Sequence, residues 1–137
     1  MFFDKKEDNN HEFDFIKVAA LLIHTAKIDE NYSKEEEHII KNTLLSLGAD
    51  KNNLETLIAK AKQCEEDANQ ILDFTREIKN LEEIDKIKII KSLWKIIYSN
   101  KDADIYETNL MRRLAGLLYI DSKVMGDIKE EIKKENL

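Results

Sequence analysis

The sequence of 137 residues contains no proline, three glycines and one cysteine. Proline ends helices and glycine builds tight turns between strands, so their scarcity favours long helices joined by short loops. The single cysteine, Cys64, cannot form an internal disulfide, which indicates a reducing compartment, and we expect a cytoplasmic protein. No apolar run approaches the roughly 20 residues that a membrane span needs. The first ten residues also lack the order of a secretory signal.

The formal net charge is −6 and the isoelectric point is about 5.2. Nucleic-acid binding requires a basic surface that neutralises phosphates, so we expect no nucleic-acid partner. An acidic surface is instead compatible with cations or basic proteins. The length suits one domain whose core needs neither disulfides nor metals. We therefore predict a single domain over residues 12–137, preceded by a mobile tail over residues 1–11.

A polar stretch of eight residues occurs twice, 71 residues apart, at 29–36 and 100–107. These stretches are termed the first turn and the second turn. Oxygen-bearing side chains occupy positions 1, 3, 5 and 8 of each, and apolar residues at helical spacing flank both copies at matching offsets. The eight residues at these positions are Asp29, Asn31, Ser33 and Glu36 in the first turn and Asn100, Asp102, Asp104 and Glu107 in the second.

Apolar periodicity predicts an all-α, single-domain bundle of about seven helices that contains two pseudo-symmetric helix-turn-helix repeats. The predicted helices cover approximately residues 12–27, 34–48, 51 onward, 68–79, 81–98, 105–118 and 121 onward. The fifth helix is the most apolar, with Ile84 among the apolar residues that cover much of its circumference, and we expect it at the centre of the bundle. If the two halves pack as a pseudo-symmetric pair, both turns lie on one edge.

The side chains of the two turns favour binding of a divalent cation. All eight are oxygen donors, which suit Ca²⁺ or Mg²⁺ better than zinc or copper. Alternate positions of a curved loop can direct side chains toward one point, and a carboxylate in the following helix can close the site. The pattern therefore predicts Ca²⁺ or Mg²⁺ at the two turns and no organic cofactor.

Helix capping explains part of the same pattern without a metal. Ser33 and Glu36 have the spacing of a capping box, and so do Asp104 and Glu107. Aspartate and asparagine at the other positions favour turns. Arginines 112 and 113 could also neutralise the second turn through an internal ion pair. Cation binding, capping and an ion pair are therefore three open interpretations.

The two turns and their flanks resemble the TerB-like family, the tellurite-resistance B proteins and their relatives. The resemblance rests on residues 26–36 followed by an apolar pair at 39–40, and on residues 99–107 followed by the apolar helix at 110–118. It spans roughly residues 13–119. The resemblance implies an all-helical bundle, an acidic cluster between the repeats, cation binding, and a role in bacterial stress response. It also implies kinship with domains of J-domain co-chaperones.

The sequence departs from the family pattern in both turns. Glu30 and Lys101 stand where the family usually has glycine, so the turns need not share the family's left-handed backbone geometry. Asn100 stands where the second motif usually has aspartate, which removes one negative charge. The resemblance therefore supports the fold more strongly than the ion.

The remaining reactive side chains do not form a catalytic pattern. Cys64 follows Ala61 at helical spacing, which predicts a residue at the edge of the core. His24 and His38 align in the repeat with polar residues, so we expect both on exposed helix faces. No glycine-rich phosphate loop or serine triad accompanies them, and we predict that the chain is not an enzyme. A metal-dependent hydrolase that uses the acidic turns is a remote alternative.

The leading hypothesis is a non-catalytic, stress-response-associated domain whose acidic cluster binds a divalent cation. The alternative is a metal-independent protein-interaction module, similar in role to a co-chaperone adaptor, whose acidic edge recruits a basic protein. We expect an unidentified protein partner in either case, and the sequence also allows a homodimer.

Overall fold

The computed structural model describes residues 8–27, 33–68, 70–99 and 105–135, with side chains for 14–27, 33–68, 70–99 and 108–135. Within these ranges the chain forms seven α-helices and no strand, which confirms the predicted all-α class. The helices are α1 (Asp8–Ala26), α2 (Lys34–Ser46), α3 (Leu54–Asp67), α4 (Leu72–Ile78), α5 (Glu83–Tyr98), α6 (Ile105–Leu117) and α7 (Ser122–Glu135). A single 3₁₀ turn, Lys51–Asn53, precedes α3.

Two helices, α1 and α5, share the centre of the bundle. α1 packs against α2, α3, α4 and α5, and α5 packs against α1, α2 and α7. Leu22 of α1 and Leu93 of α5 occupy equivalent positions of the repeat, and both are completely buried. The sequence predicted the central position of α5. Ile84, in the first turn of this apolar helix, is 60% exposed.

The bounds of α2 and α6 differ by the same 71 residues as the two polar turns. Both helices also end with the same backbone hydrogen bond. Ala49 N donates to Leu44 O at 2.9 Å, and Ile120 N donates to Ala115 O at 2.9 Å. This hydrogen bond is typical of a helix C-terminus at which the preceding residue, the one before the N–H donor, has a left-handed backbone conformation. The duplicated unit therefore keeps its helix length and its helix stop, while pseudo-symmetric packing of the two halves stays a prediction.

Several helix starts differ from the predicted ones. α3 begins at Leu54, later than predicted, because residues 51–53 form the 3₁₀ turn. α1 begins at Asp8, earlier than the predicted start at Glu12. α4 begins at Leu72, later than predicted, because Ala68 has an extended backbone (ψ 141°) that ends α3. α5 begins after Glu82, which is also extended (ψ 152°). The division into a tail over residues 1–11 and a domain over 12–137 stays a prediction.

None of the helices in the described ranges combines the length and the apolar character that a membrane crossing requires.

Candidate functional site

The described residues include two of the eight predicted cation ligands with their side chains, Ser33 and Glu36. For Glu107 they include the backbone, within α6. The other five ligands lie outside the described residues: Asp29, Asn31, Asn100, Asp102 and Asp104. The complete ligand set therefore stays a prediction. Among the side chains that are described, no group of three or more histidine, cysteine, aspartate or glutamate residues could hold a metal ion.

Ser33 and Glu36 form a reciprocal capping box at the start of α2. Ser33 has an extended backbone, with φ −87° and ψ 165°, and its Oγ accepts a hydrogen bond from Glu36 N at 3.1 Å. In return, Ser33 N donates to Glu36 Oε1 at 2.8 Å. These bonds satisfy backbone N–H groups that have no partner within the helix. The capping interpretation is therefore confirmed for this pair, and it requires no metal.

The carboxylate of Glu36 is buried inside the bundle, although it belongs to an acidic first helical turn. Glu36 is 1% exposed, whereas Glu35 is exposed and Glu37 is half-buried. Burial of a carboxylate is costly unless hydrogen bonds or positive charge compensate it. Ser33 N and the positive end of the helix dipole supply part of that compensation. The oxygens of Ser33 and Glu36 also fit the chemistry of Ca²⁺ or Mg²⁺ ligands, although each already takes part in the cap.

Side-chain contacts between α2 and α5 show that these helices run antiparallel. Lys88 Nζ donates to Ser46 O at 3.1 Å, and one helical turn further along α5 the hydroxyls of Ser92 and Thr43 hydrogen-bond to each other. Residue numbers therefore increase along α5 while they decrease along α2 from one contact to the next. The start of α2 and the end of α5 consequently lie at the same end of this helix pair. The first turn leads into α2, and the second turn follows the end of α5. The flanks of both turns therefore lie at this same end of the helix pair, which is termed the turn end.

An ion-pair network that the sequence did not reveal joins α1 to α3 at the C-terminal end of α1. Glu65 Oε1 accepts from Lys27 Nζ at 2.6 Å, and Glu65 Oε2 lies 3.3 Å from His24 Nδ1. Burial opposes ionisation of Glu65, but the hydrogen bonds from Lys27 and His24 outweigh it, so the pKa of Glu65 is lowered. The hydrogen bond to Glu65 raises the pKa of Lys27. The network fixes the helix end that leads into the first turn.

Other predicted residues have mixed outcomes. His24 was predicted on an exposed face, but its side chain is 37% exposed and engaged with Glu65, which corrects that prediction. His38 is exposed as predicted. Cys64 is half-buried against the core, which confirms its position at the edge of the core. Arginines 112 and 113 are exposed, and their pairing with the second turn stays a prediction because the acidic partners lie outside the described residues.

A family model described as "Tellurite resistance protein TerB" matches residues 15–130. The matched segment contains both turns and all of α2 to α6, and it covers most of the chain. No curated protein and no solved structure matches the chain significantly.

Proposed function

The chain belongs to the tellurite resistance protein TerB family, and from that membership we propose a non-catalytic, tellurite-resistance-associated domain of the stress response that binds a divalent cation at its two acidic turns. Membership of the family supports the association with tellurite resistance. The cation is Ca²⁺ or Mg²⁺, since all eight predicted ligands are oxygen donors. Ser33, Glu36 and the six other residues at positions 1, 3, 5 and 8 of the turns would hold it.

The buried carboxylate of Glu36 at the turn end is the observation that carries the cation proposal. The capping box holds this carboxylate in place through Ser33 N at 2.8 Å. The antiparallel packing of α2 and α5 brings the flanks of both turns to the same end, and five of the eight predicted ligands are carboxylates. Carboxylates at close range repel one another unless a positive charge neutralises them. A divalent cation would lower that electrostatic cost and would stabilise the folded state.

Thermal unfolding in chelator, calcium and magnesium tests the proposal. A ligand that binds only the native state raises the melting temperature. We expect millimolar Ca²⁺ or Mg²⁺ to raise the melting temperature of the unaltered protein, and Asp29→Asn or Glu107→Gln to reduce that rise. Glu83→Gln is a charge-matched control, since Glu83 is exposed in the first turn of α5, at the opposite end from the second turn. The control should respond to the ions as the unaltered protein does.

Glu36→Gln separates the cap from the cation site. Glutamine can still accept the hydrogen bond from the N-cap backbone, so the capping box survives, but the negative charge is lost. We expect the melting temperature in chelator to change by no more than about 3 °C, the effect of less than about 1 kcal/mol for a chain of this length. Loss of the charge relieves burial and repulsion but also removes a favourable interaction with the helix dipole. The rise with calcium should nevertheless disappear. Identical melting curves in chelator and in both ions would refute cation binding.

A metal-independent interaction module is the second candidate. The capping box favours it, because the hydrogen bonds between Ser33 and Glu36 already account for both side chains without a metal. The acidic turn end would then recruit a basic protein surface, and binding would weaken as salt screens the charges. Capture of a partner that persists in chelator and is lost at high salt would favour this candidate over the cation site.

A further inference from the structure

A cleft with a basic wall lies between α2 and α5. Its volume is about 310 Å³, which is at the lower end of the range for small-molecule sites in proteins. One wall is the face of α5 that carries Lys88, Lys91 and Lys95. The opposite wall comes from α2 and includes Asn42 and Ser46. This space is termed the α2–α5 cleft, and it has the size of a site for one small molecule.

The charge of the α2–α5 cleft is opposite to that of the whole chain. The chain carries 28 aspartate and glutamate residues and a net charge of −6, but no acidic residue is among the described residues that line the cleft. Lys88, Lys91 and Lys95 are spaced by three and four residues, so they share one face of α5. Like charges at this spacing destabilise a helix. An anion in the cleft would reverse that effect.

The three ammonium groups are held only weakly by the protein itself. Lys88 Nζ donates to Ser46 O at 3.1 Å, at the C-terminal end of α2, and its charge also acts on the carboxylate of Asp85 one turn earlier in α5. Lys91 Nζ lies 3.6 Å from Glu131 Oε1, an ion pair in which both side chains are at least 40% exposed. Lys95 is exposed and has no hydrogen bond or ion pair within the described part of the chain. Exposed ion pairs contribute little to stability, so Lys91 and Lys95 can both turn toward a ligand.

The floor of the cleft selects for a charged ligand. The hydroxyls of Thr43 and Ser92 hydrogen-bond to each other. Thr43 Oγ1 also lies 2.8 Å from Ile39 O, and Ser92 Oγ lies 3.0 Å from Lys88 O. Two hydroxyl protons thus serve three acceptors, so neither is left over for a ligand. The donors that remain are the ammonium groups and the amide of Asn42, which together favour an anion over a neutral polar molecule.

We propose that the α2–α5 cleft binds the phosphate group of a small phosphorylated molecule, or inorganic phosphate itself, through Lys88, Lys91 and Lys95. Ammonium groups form short, charge-assisted hydrogen bonds with phosphate oxygens. The volume of the cleft suits a small molecule. This anion site is separate from the cation site at the turns and does not depend on it.

Titrations followed by ¹H–¹⁵N NMR test the site. Inorganic phosphate and adenosine monophosphate are added separately to the full chain at constant ionic strength, with sodium chloride as the reference and chelator present throughout. Chelator keeps the result independent of the turns, because no divalent ion can bridge the phosphate to them. We expect saturable shifts of the amides of Asn42, Ser46 and Ser92. Saturation by inorganic phosphate identifies the free anion as a ligand, and saturation by the monophosphate alone identifies a phosphorylated molecule.

Variants of the basic wall give the decisive comparison. Lys91→Gln combined with Lys95→Gln should weaken binding by about fivefold or more, since each exposed ion pair contributes up to about fivefold. Lys95→Gln alone should weaken it less and leaves the pair between Lys91 and Glu131 intact. Lys123→Gln, an exposed lysine at the start of α7, is the charge-matched control and should bind as the unaltered protein does. Shifts that never saturate, or equal affinities in all four proteins, would overturn the proposal.

Discussion

Gly48 and Tyr119, 71 residues apart, both have a positive φ just after the ends of α2 and α6, at 108° and 58°. A left-handed residue at this position lets the chain leave the helix while the last carbonyls keep hydrogen-bond partners. Glycine adopts this conformation without a steric penalty, whereas a residue with a Cβ does not. The duplicated unit thus keeps its helix stop although the second copy has tyrosine where the first has glycine.

Alanine substitution should have opposite effects at two of the glycines. Gly48→Ala should lower the free energy of unfolding by about 1 kcal/mol or more, because alanine is strained at this φ. Gly126→Ala is the matched control, since Gly126 lies inside α7 and an added Cβ would meet nothing within 4 Å. It should raise the free energy of unfolding by about 0.5–1 kcal/mol. Urea denaturation measures both, and a change of the same sign in the two variants would contradict the prediction.

The hydroxyl pair between α2 and α5 should behave as one coupled unit. Thr43 and Ser92 are both buried, and their hydroxyls bond to each other and to the preceding helical turns. We expect Thr43→Val and Ser92→Ala each to cost about 1 kcal/mol, because removing one partner leaves the other hydroxyl poorly satisfied. The double variant should cost less than the sum, by about 0.5 kcal/mol or more. Denaturant titration of the four proteins completes the cycle, and strict additivity would show that the hydroxyls do not interact.

Features set by neighbouring residues could be predicted from the sequence. The capping box of Ser33 and Glu36 and the stop at Gly48 are local signals, and together they predicted the bounds of α2 closely. The late start of α4 was missed because the segment after Ala68 reads as helix-forming. The structure instead has an extended backbone at Ala68, which ends α3.

Features that depend on how the helices pack could not be predicted. Glu65 is far from His24 and Lys27 in the sequence, and the packing of α1 against α3 brings them together. Lys86 is a similar case, because its Nζ is buried and donates to Leu118 O at 3.0 Å across the bundle. The spacing of residues along one helix shows which of them share a face, but it does not show what the face contacts.

The network around Glu65 should stabilise the protein above acidic pH. Burial alone would raise the pKa of Glu65, but the hydrogen bonds and charges of Lys27 and His24 outweigh it. The folded-state pKa of Glu65 is therefore lowered from its ordinary value of 4.5. A lowered pKa means that stabilisation is present above about pH 4.5 and is lost as the pH falls through the folded-state pKa.

We therefore expect Glu65→Gln to cost about 0.5–1 kcal/mol at pH 7, the range of a partly exposed ion pair. The difference from the unaltered protein should shrink as the pH falls below about 4.5. Glu66→Gln is the control, because Glu66 is the exposed neighbour on α3 and should change stability by less than about 0.5 kcal/mol. Urea denaturation between pH 3.5 and pH 7, chosen to bracket the ordinary glutamate pKa, gives the comparison. A pH-independent difference would assign the loss to packing.

Asp85 should have the opposite effect on stability. It is 5% exposed, its Oδ2 has no hydrogen-bond partner among the described residues, and burial raises its pKa, with Lys88 opposing the change. A raised pKa means that the ionised form destabilises the fold at neutral pH. This penalty is absent below about 3.8, the ordinary pKa, and develops as the pH rises through the folded-state value.

Replacing Asp85 by asparagine should therefore raise the melting temperature at pH 7, by about 2–4 °C for a gain near 1 kcal/mol. A competing term has the other sign, since a negative charge in the first turn of α5 interacts favourably with the helix dipole by about 0.3–1 kcal/mol. At Asp85 we expect the cost of burial to outweigh the helix-dipole interaction. Glu83 lies in the same turn but is exposed, so no burial cost opposes its interaction with the dipole, and Glu83→Gln should lower the melting temperature slightly. The gain from Asp85→Asn should also decrease as the pH is lowered toward 4, because protonation already removes the charge. A lower melting temperature for Asp85→Asn at pH 7 would mean that the helix dipole outweighs desolvation at this position.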